Sequence, residues 1–76
     1  MNTNNNPATL LPIKTRKNRR HALLAAIQQI ELIRDAEERY MDNTPDNFCG
    51  TESYEVAEDA VSTLDEVIPM LYDVYS

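Results

Sequence analysis

The strongest constraint on the fold is a run of regularly spaced apolar residues in the last third of the sequence. They follow one another at alternating intervals of three and four: Tyr54, Ala57, Val61, Leu64, Ile68, Leu71 and Tyr75. This spacing places all of them on one side of an α-helix. A second apolar row, formed by Ala60, Val67 and Val74, runs beside them at seven-residue intervals. The apolar face is therefore wider than contact with a single helix requires.

A second, less regular apolar row predicts an earlier helix. It consists of Leu23, Ala26, Ile30, Ile33 and Tyr40, with Glu37 interrupting it and Ile27 and Met41 widening one flank. We expect this helix to cover about residues 14–43, with Thr15 as its N-cap. Pro45 ends it, because the residue before a proline avoids the α region.

The segment between the two helices, residues 44–52, has the composition of a turn. It contains Pro45 and the only glycine, Gly50, and Pro45 could open a short helical turn of its own. The second helix is predicted over about residues 53–75, with Thr51 or Ser53 as its cap. Pro69 lies inside it, so we expect a kink or a break. Because Pro69 projects off the apolar row, survival of the helix is favoured over its termination.

Together these elements predict an all-α fold, an antiparallel two-helix hairpin over residues 13–76. It is preceded by an Asn- and Pro-rich arm, residues 1–12, that we expect to be disordered. Pairing the two rows puts Leu23 near Leu71, Ile30 near Leu64 and Tyr40 beside Tyr54, a coiled-coil-like contact.

A single hairpin of this length has little core. The chain has 76 residues and one cysteine, so no internal disulfide can reinforce it. A lone hairpin would also leave the second row in water. We therefore predict a homodimer, a four-helix bundle, with a different protein partner as the competing interpretation. The predicted interface is Ala60, Val67, Leu71 and Val74.

The charges are divided unequally along the sequence. Residues 1–30 hold five basic residues and no acid, whereas residues 31–76 hold all 13 acids and two arginines. The basic residues are Lys14, Arg16, Lys17, Arg19 and Arg20. One interpretation is a salt-sensitive contact with nucleic acid, though no aromatic residue is interleaved for base stacking. The other is a match to Asp73 and the negative end of the second helix.

The acidic remainder of the chain also has two interpretations. It is typical of a solvated helix surface. A further alternative is a mimic of nucleic acid that inhibits a host or phage protein. The sequence leaves both open.

The sequence predicts no catalytic, cofactor-binding or metal-binding residue and no enzymatic activity. Cys49 and His21 are expected at opposite ends of the hairpin, which argues against a catalytic pair. Glu37 occupies a core-type position, and Glu58 and Asp65 border the opposing row. Such charges at the edge of the contact are expected to pair with Arg34 or to be set by the dimer register. There is no apolar run long enough to span a membrane and no secretory signal. A soluble, cytoplasmic protein that interacts with other proteins is the resulting prediction.

One stretch of the sequence resembles a known pattern. "AEERYMDNTPDNFCGTESYEVAEDAVSTLDEVI" is similar to a motif of small uncharacterised helical-hairpin proteins of bacterial phages and mobile elements. The match covers roughly residues 36–68 and departs from the pattern at Phe48–Cys49. It is carried by Tyr40, Asn43, Pro45, Asp46, Asn47, Ser53, Tyr54, Ala57, Glu58, Ala60, Val61 and Leu64. The resemblance implies a helical hairpin and a bacterial or phage origin, and it implies no catalytic residue.

Overall fold

The fold is a pair of α-helices joined by a short loop. A computed structural model describes residues 10–76. Helix α1 spans Arg16–Asp42, a short 3-10 helix spans Asp46–Phe48, and helix α2 spans Glu52–Tyr72. There is no strand in this part of the chain. The predicted all-helical architecture and both helices are thus confirmed, while residues 1–9 of the predicted arm lie outside the described residues.

Local side-chain chemistry explains where each helix begins. The Thr15 hydroxyl oxygen accepts a hydrogen bond from the Asn18 amide at 3.0 Å, at the start of α1. The Thr51 hydroxyl oxygen accepts one from the Tyr54 amide at 3.3 Å, at the start of α2. Each threonine satisfies an amide that has no partner within its helix. Both predicted caps are confirmed, Thr51 being chosen over Ser53.

The loop follows the predicted turn chemistry. Pro45 is extended and its carbonyl accepts a hydrogen bond from the Phe48 amide at 2.9 Å, which opens the 3-10 turn. The predicted helical turn after Pro45 is confirmed. Ahead of it, the Thr44 hydroxyl donates to the Tyr40 carbonyl at 2.7 Å. That bond satisfies one of the last carbonyls of α1.

Helix α2 continues through Pro69, as favoured above, and ends at Tyr72 rather than near residue 75. The Asp73 amide then donates to the carbonyls of Pro69 and Met70 at 3.3 and 3.2 Å. Pro69 therefore lies in the last turn of α2, and only three helical residues follow it.

The two helices pack along a narrow contact in which Ile27 and Ala57 are the buried residues, with 0% and 2% of their surface exposed. On α2 the contact follows the predicted row. On α1 it lies one position further along than predicted, because Ile27, Arg34 and Met41 face α2 in place of Ala26, Ile33 and Tyr40. Arg34 can occupy this contact because its charged end reaches a carboxylate on α2, that of Asp65, while only 22% of its side chain is exposed.

Candidate interaction surface

Arg34 organises one side of the hairpin, termed here the polar side. Its Nε and Nη2 donate to the two carboxylate oxygens of Asp65 on α2, at 2.8 and 3.2 Å. Its Nη1 also donates to Glu38 at 2.6 Å and to Asp35 at 3.3 Å. The two-pronged contact with Asp65 joins the helices with defined geometry. All salt bridges within residues 10–76 involve this one arginine.

These contacts shift the pKa values of Arg34 and of Asp65. Hydrogen bonding to Asp65, and then to Glu38, raises the pKa of the Arg34 guanidinium. The hydrogen bond from Arg34 lowers the pKa of Asp65 below its usual value, against a smaller opposing effect of burial. The Arg34 side chain is 22% exposed and that of Asp65 53% exposed. The pair is therefore partly solvated, and its main effect is on the geometry of packing rather than on stability.

Two further contacts join the helices toward their chain-terminal end. The Tyr72 hydroxyl donates to the Glu31 carboxylate at 2.9 Å, and this bond raises the pKa of Tyr72. Arg20 donates to the Tyr75 carbonyl at 3.1 Å, and its guanidinium carbon lies 5.7 Å from the centre of the Tyr75 ring. A cation therefore meets the negative end of α2 and an aromatic face at once.

The opposite flank of the hairpin, termed here the apolar side, carries almost no charge. On α2 it is a strip with its own alternating spacing of three and four, one position ahead of the buried row. The strip consists of Ser53, Val56, Ala60, Thr63, Val67, Met70 and Val74. On α1 the matching strip contains Ala26, Ile30, Ile33, Glu37 and Tyr40. Helical periodicity places both strips on the flank away from Asp35 and Asp65.

Much of the apolar side is open to solvent in the single chain. Ile33 is 48% exposed and Val74 is 56% exposed. A shallow groove crosses it near the loop, lined by Glu37, Tyr40, Glu52, Ser53 and Val56. Of the predicted interface residues, Ala60, Val67 and Leu71 are half-buried and Val74 is exposed. From the sequence, only every second residue of the α2 strip was identified, and Val56 and Met70 were not included. The alternating spacing of three and four would have identified the whole strip.

Glu37 is the one charged residue of the α1 strip and it is half-buried. Of the acidic residues at the edge of the helix contact, Asp65 pairs with Arg34 as expected and Glu37 does not, because Arg34 binds Asp35, Glu38 and Asp65. Glu37 instead lines the groove on the apolar side.

The five basic residues at the start of α1 do not act as one cluster. Arg19 folds back and donates to the carbonyls of Ile13 and Lys14, at 3.1 and 3.2 Å. Arg20 is held against Tyr75. Lys14, Arg16 and Lys17 are exposed, and no carboxylate of residues 10–76 forms a salt bridge with them. The predicted match to the end of α2 thus accounts for one charge, that of Arg20, and all five basic residues remain exposed.

The remaining reactive groups are far from one another. Cys49 is a half-buried free thiol in the loop, with its sulfur 3.6 Å from the Pro45 carbonyl oxygen. His21 is exposed at the other end of the hairpin, next to Arg20. Over residues 10–76, no group of three or more potential metal ligands is assembled. Neither α1 nor α2 contains the length of apolar sequence that a transmembrane span needs.

Comparison with known proteins adds no relative. No family model matches the chain, and neither a curated protein nor a solved structure matches it significantly. The resemblance of residues 36–68 to helical-hairpin proteins of phages and mobile elements stays a prediction.

Proposed function

We propose that this chain is a non-enzymatic interaction protein that works as a self-associated helical bundle. The observation that carries the proposal is the second strip on each helix. A helix in a four-helix bundle contacts two neighbours and therefore needs two adjacent apolar strips, whereas a helix in an isolated hairpin needs one. α2 has two, and α1 has an exposed second row, Ala26, Ile33 and Tyr40, beside the row that contacts α2.

The small core supports the same conclusion. Ile27 and Ala57 are the only buried residues among those described. Chains of this size seldom gain more than about 3–5 kcal/mol from a single core. Covering the apolar side would add buried surface without demanding any change in the hairpin, because its side chains already project from two rigid helices. We place the assembly in the cytoplasm, since one free thiol suits a reducing compartment.

Sedimentation equilibrium tests the proposal directly. The molar mass measured for the wild type should be twice the 8.7 kDa of one chain. Val74→Glu should shift the measured mass toward that of the monomer. Val74 is 56% exposed in the hairpin, so a glutamate there should leave the hairpin folded while a charge buried between copies is strongly unfavourable.

Leu32→Glu is the matched control. Leu32 lies on α1 and, like Val74, is exposed, at 62%, but it lies outside both strips, so its substitution should leave the mass unchanged. Far-UV circular dichroism should show helix in both variants. A wild-type monomer at high protein concentration, or equal effects of the two substitutions, would contradict the proposal.

A second candidate function is nucleic-acid binding by Lys14, Arg16 and Lys17. Its support is the exposure of these three cations at the start of α1, where they could neutralise phosphates. A gel shift at low salt should be abolished by Lys14/Arg16/Lys17→Ala and kept by Arg39→Ala, which removes a cation elsewhere on α1. Absence of any shift by the wild type at low salt would remove this candidate.

A further inference from the structure

We propose that the occupant of the apolar side is a second copy of the chain packed antiparallel, with its loop beside the chain-terminal end of the first. The inference rests on the proposed function and specifies its geometry. Two identical hairpins can meet face to face about a two-fold axis in two ways. An axis along the helices puts both loops at one end, whereas an axis across the helices puts them at opposite ends.

The charges of the hairpin are separated along its length. The loop end, residues 35–59, holds nine carboxylates and one arginine, a net charge of −8. The chain-terminal end, residues 14–30 and 66–76, holds five basic and two acidic residues, a net charge of +3. The centre is nearly balanced, because Arg34 lies there with Glu31 and Asp65. Each hairpin is thus an elongated body with a negative and a positive end.

This separation favours one of the two arrangements. With the loops together, two ends of net charge −8 would lie side by side. With the loops apart, each negative end lies beside a positive end. Neighbouring helices in a bundle are about 8–10 Å apart, which is no more than the distance over which salt at about 0.1 M screens charges. Since the apolar side has little charge of its own, the charges at its edges decide the orientation.

The sizes of the α1 side chains are compatible with this arrangement. In the antiparallel dimer, α1 of one copy lies across from α1 of the other and runs in the opposite direction. The α1 strip has the large Tyr40 toward the loop and the small Ala26 toward the chain-terminal end. Tyr40 is 44% exposed in the single chain. Antiparallel packing sets the ring of Tyr40 against small residues of the second copy, which have room for it.

Distances between spin labels in the dimer test the orientation. The native thiol is removed by Cys49→Ser, and a label is placed at the loop by Gly50→Cys. A side chain fits there, because a Cβ on Gly50 meets no atom within 4 Å. A second variant carries Ser76→Cys, an exposed position at the chain-terminal end. Since α1 has 27 residues and a helix rises 1.5 Å per residue, the two ends are about 40 Å apart.

Two samples, one with a single labelled variant and one a mixture of both, give opposite results for the two arrangements. Loop-labelled protein alone should give a loop-to-loop distance of about 40 Å or more. An equal mixture of loop-labelled and Ser76→Cys protein should add a short distance, below about 25 Å, from heterodimers of helices packed at bundle spacing. A short loop-to-loop distance would overturn the antiparallel orientation while leaving the dimer in place. Monomers by sedimentation, with no intermolecular distance, would overturn the proposed function as well.

Discussion

Ile27→Ala should abolish most of the folding stability of the hairpin. Ile27 is fully buried, at 0% exposure, and the substitution removes three carbon atoms. At about 0.8 kcal/mol for each buried carbon, the transfer free energy lost is about 2.4 kcal/mol. The cavity that remains brings the expected loss to about 3 kcal/mol, within the range seen for such core substitutions. That approaches the whole stability expected of a core this small.

Urea unfolding followed by far-UV circular dichroism measures this loss, at a protein concentration low enough for monomers. Leu32→Ala is the control, because it removes the same number of carbons from the same helix at a site that is 62% exposed. Leu32→Ala should lower the free energy of unfolding by less than about 0.5 kcal/mol. Ile33→Ala, at a site 48% exposed, should fall between them. If Ile33→Ala proved the most damaging of the three, α1 would pack through the row expected from the sequence, and the assignment of Ile27 to the core would be wrong.

Three further substitutions test separate parts of the hairpin. Because the pKa of Asp65 is lowered in the folded chain, its contribution is complete above the unfolded pKa and is lost as the pH falls through the folded one. The free energy of unfolding of the wild type, relative to Asp65→Asn, should therefore decrease as the pH falls below the range in which an unfolded aspartate titrates, in acid titrations of urea stability. Thr51→Ala should cost about 1 kcal/mol by the same urea assay, whereas Thr51→Ser, which keeps the capping oxygen, should cost much less. Pro69→Ala should raise the thermal midpoint, because it restores one helical hydrogen bond and relieves a clash that costs up to about 3 kcal/mol.

The parts of the fold that depend on neighbouring residues could be predicted from the sequence. Thr15 and Thr51 cap their helices within three residues of the amides they bind, and Pro45 opens the 3-10 turn through its own carbonyl. The α2 contact was also predictable, because its row has no polar interruption. The two helices and the loop follow from these signals alone.

The α1 contact could not be predicted in this way. Counting apolar residues selects Ala26, Ile33 and Tyr40, since the alternative row includes Arg34. Whether an arginine can occupy a helix contact depends on a partner 31 residues away, Asp65, and local spacing does not show that partner. The interaction surface was for this reason only half predicted. The α2 residues Ala60, Val67 and Val74 were predicted to lie at an interface, which stays a prediction, whereas the α1 strip was assigned to the hairpin contact.

The Arg34–Asp65 contact therefore has a consequence beyond the hairpin itself. Adjacent residues on a helix are separated by about 100° of rotation, and the two rows of α1 differ by one position. Holding Arg34 against Asp65 turns Ile27 and Met41 toward α2, which leaves Ile33 and Tyr40 on the apolar side. Were α1 rotated to bury Ile33 and Tyr40, the residues one position before them, Leu32 and Arg39, would lie on the apolar side in their place, and Ile33 and Tyr40 would no longer be open to a partner. An ion pair that contributes little to stability thus selects which strip of α1 is available to a partner, and this explains why a chain with so small a core has a charged contact between its helices.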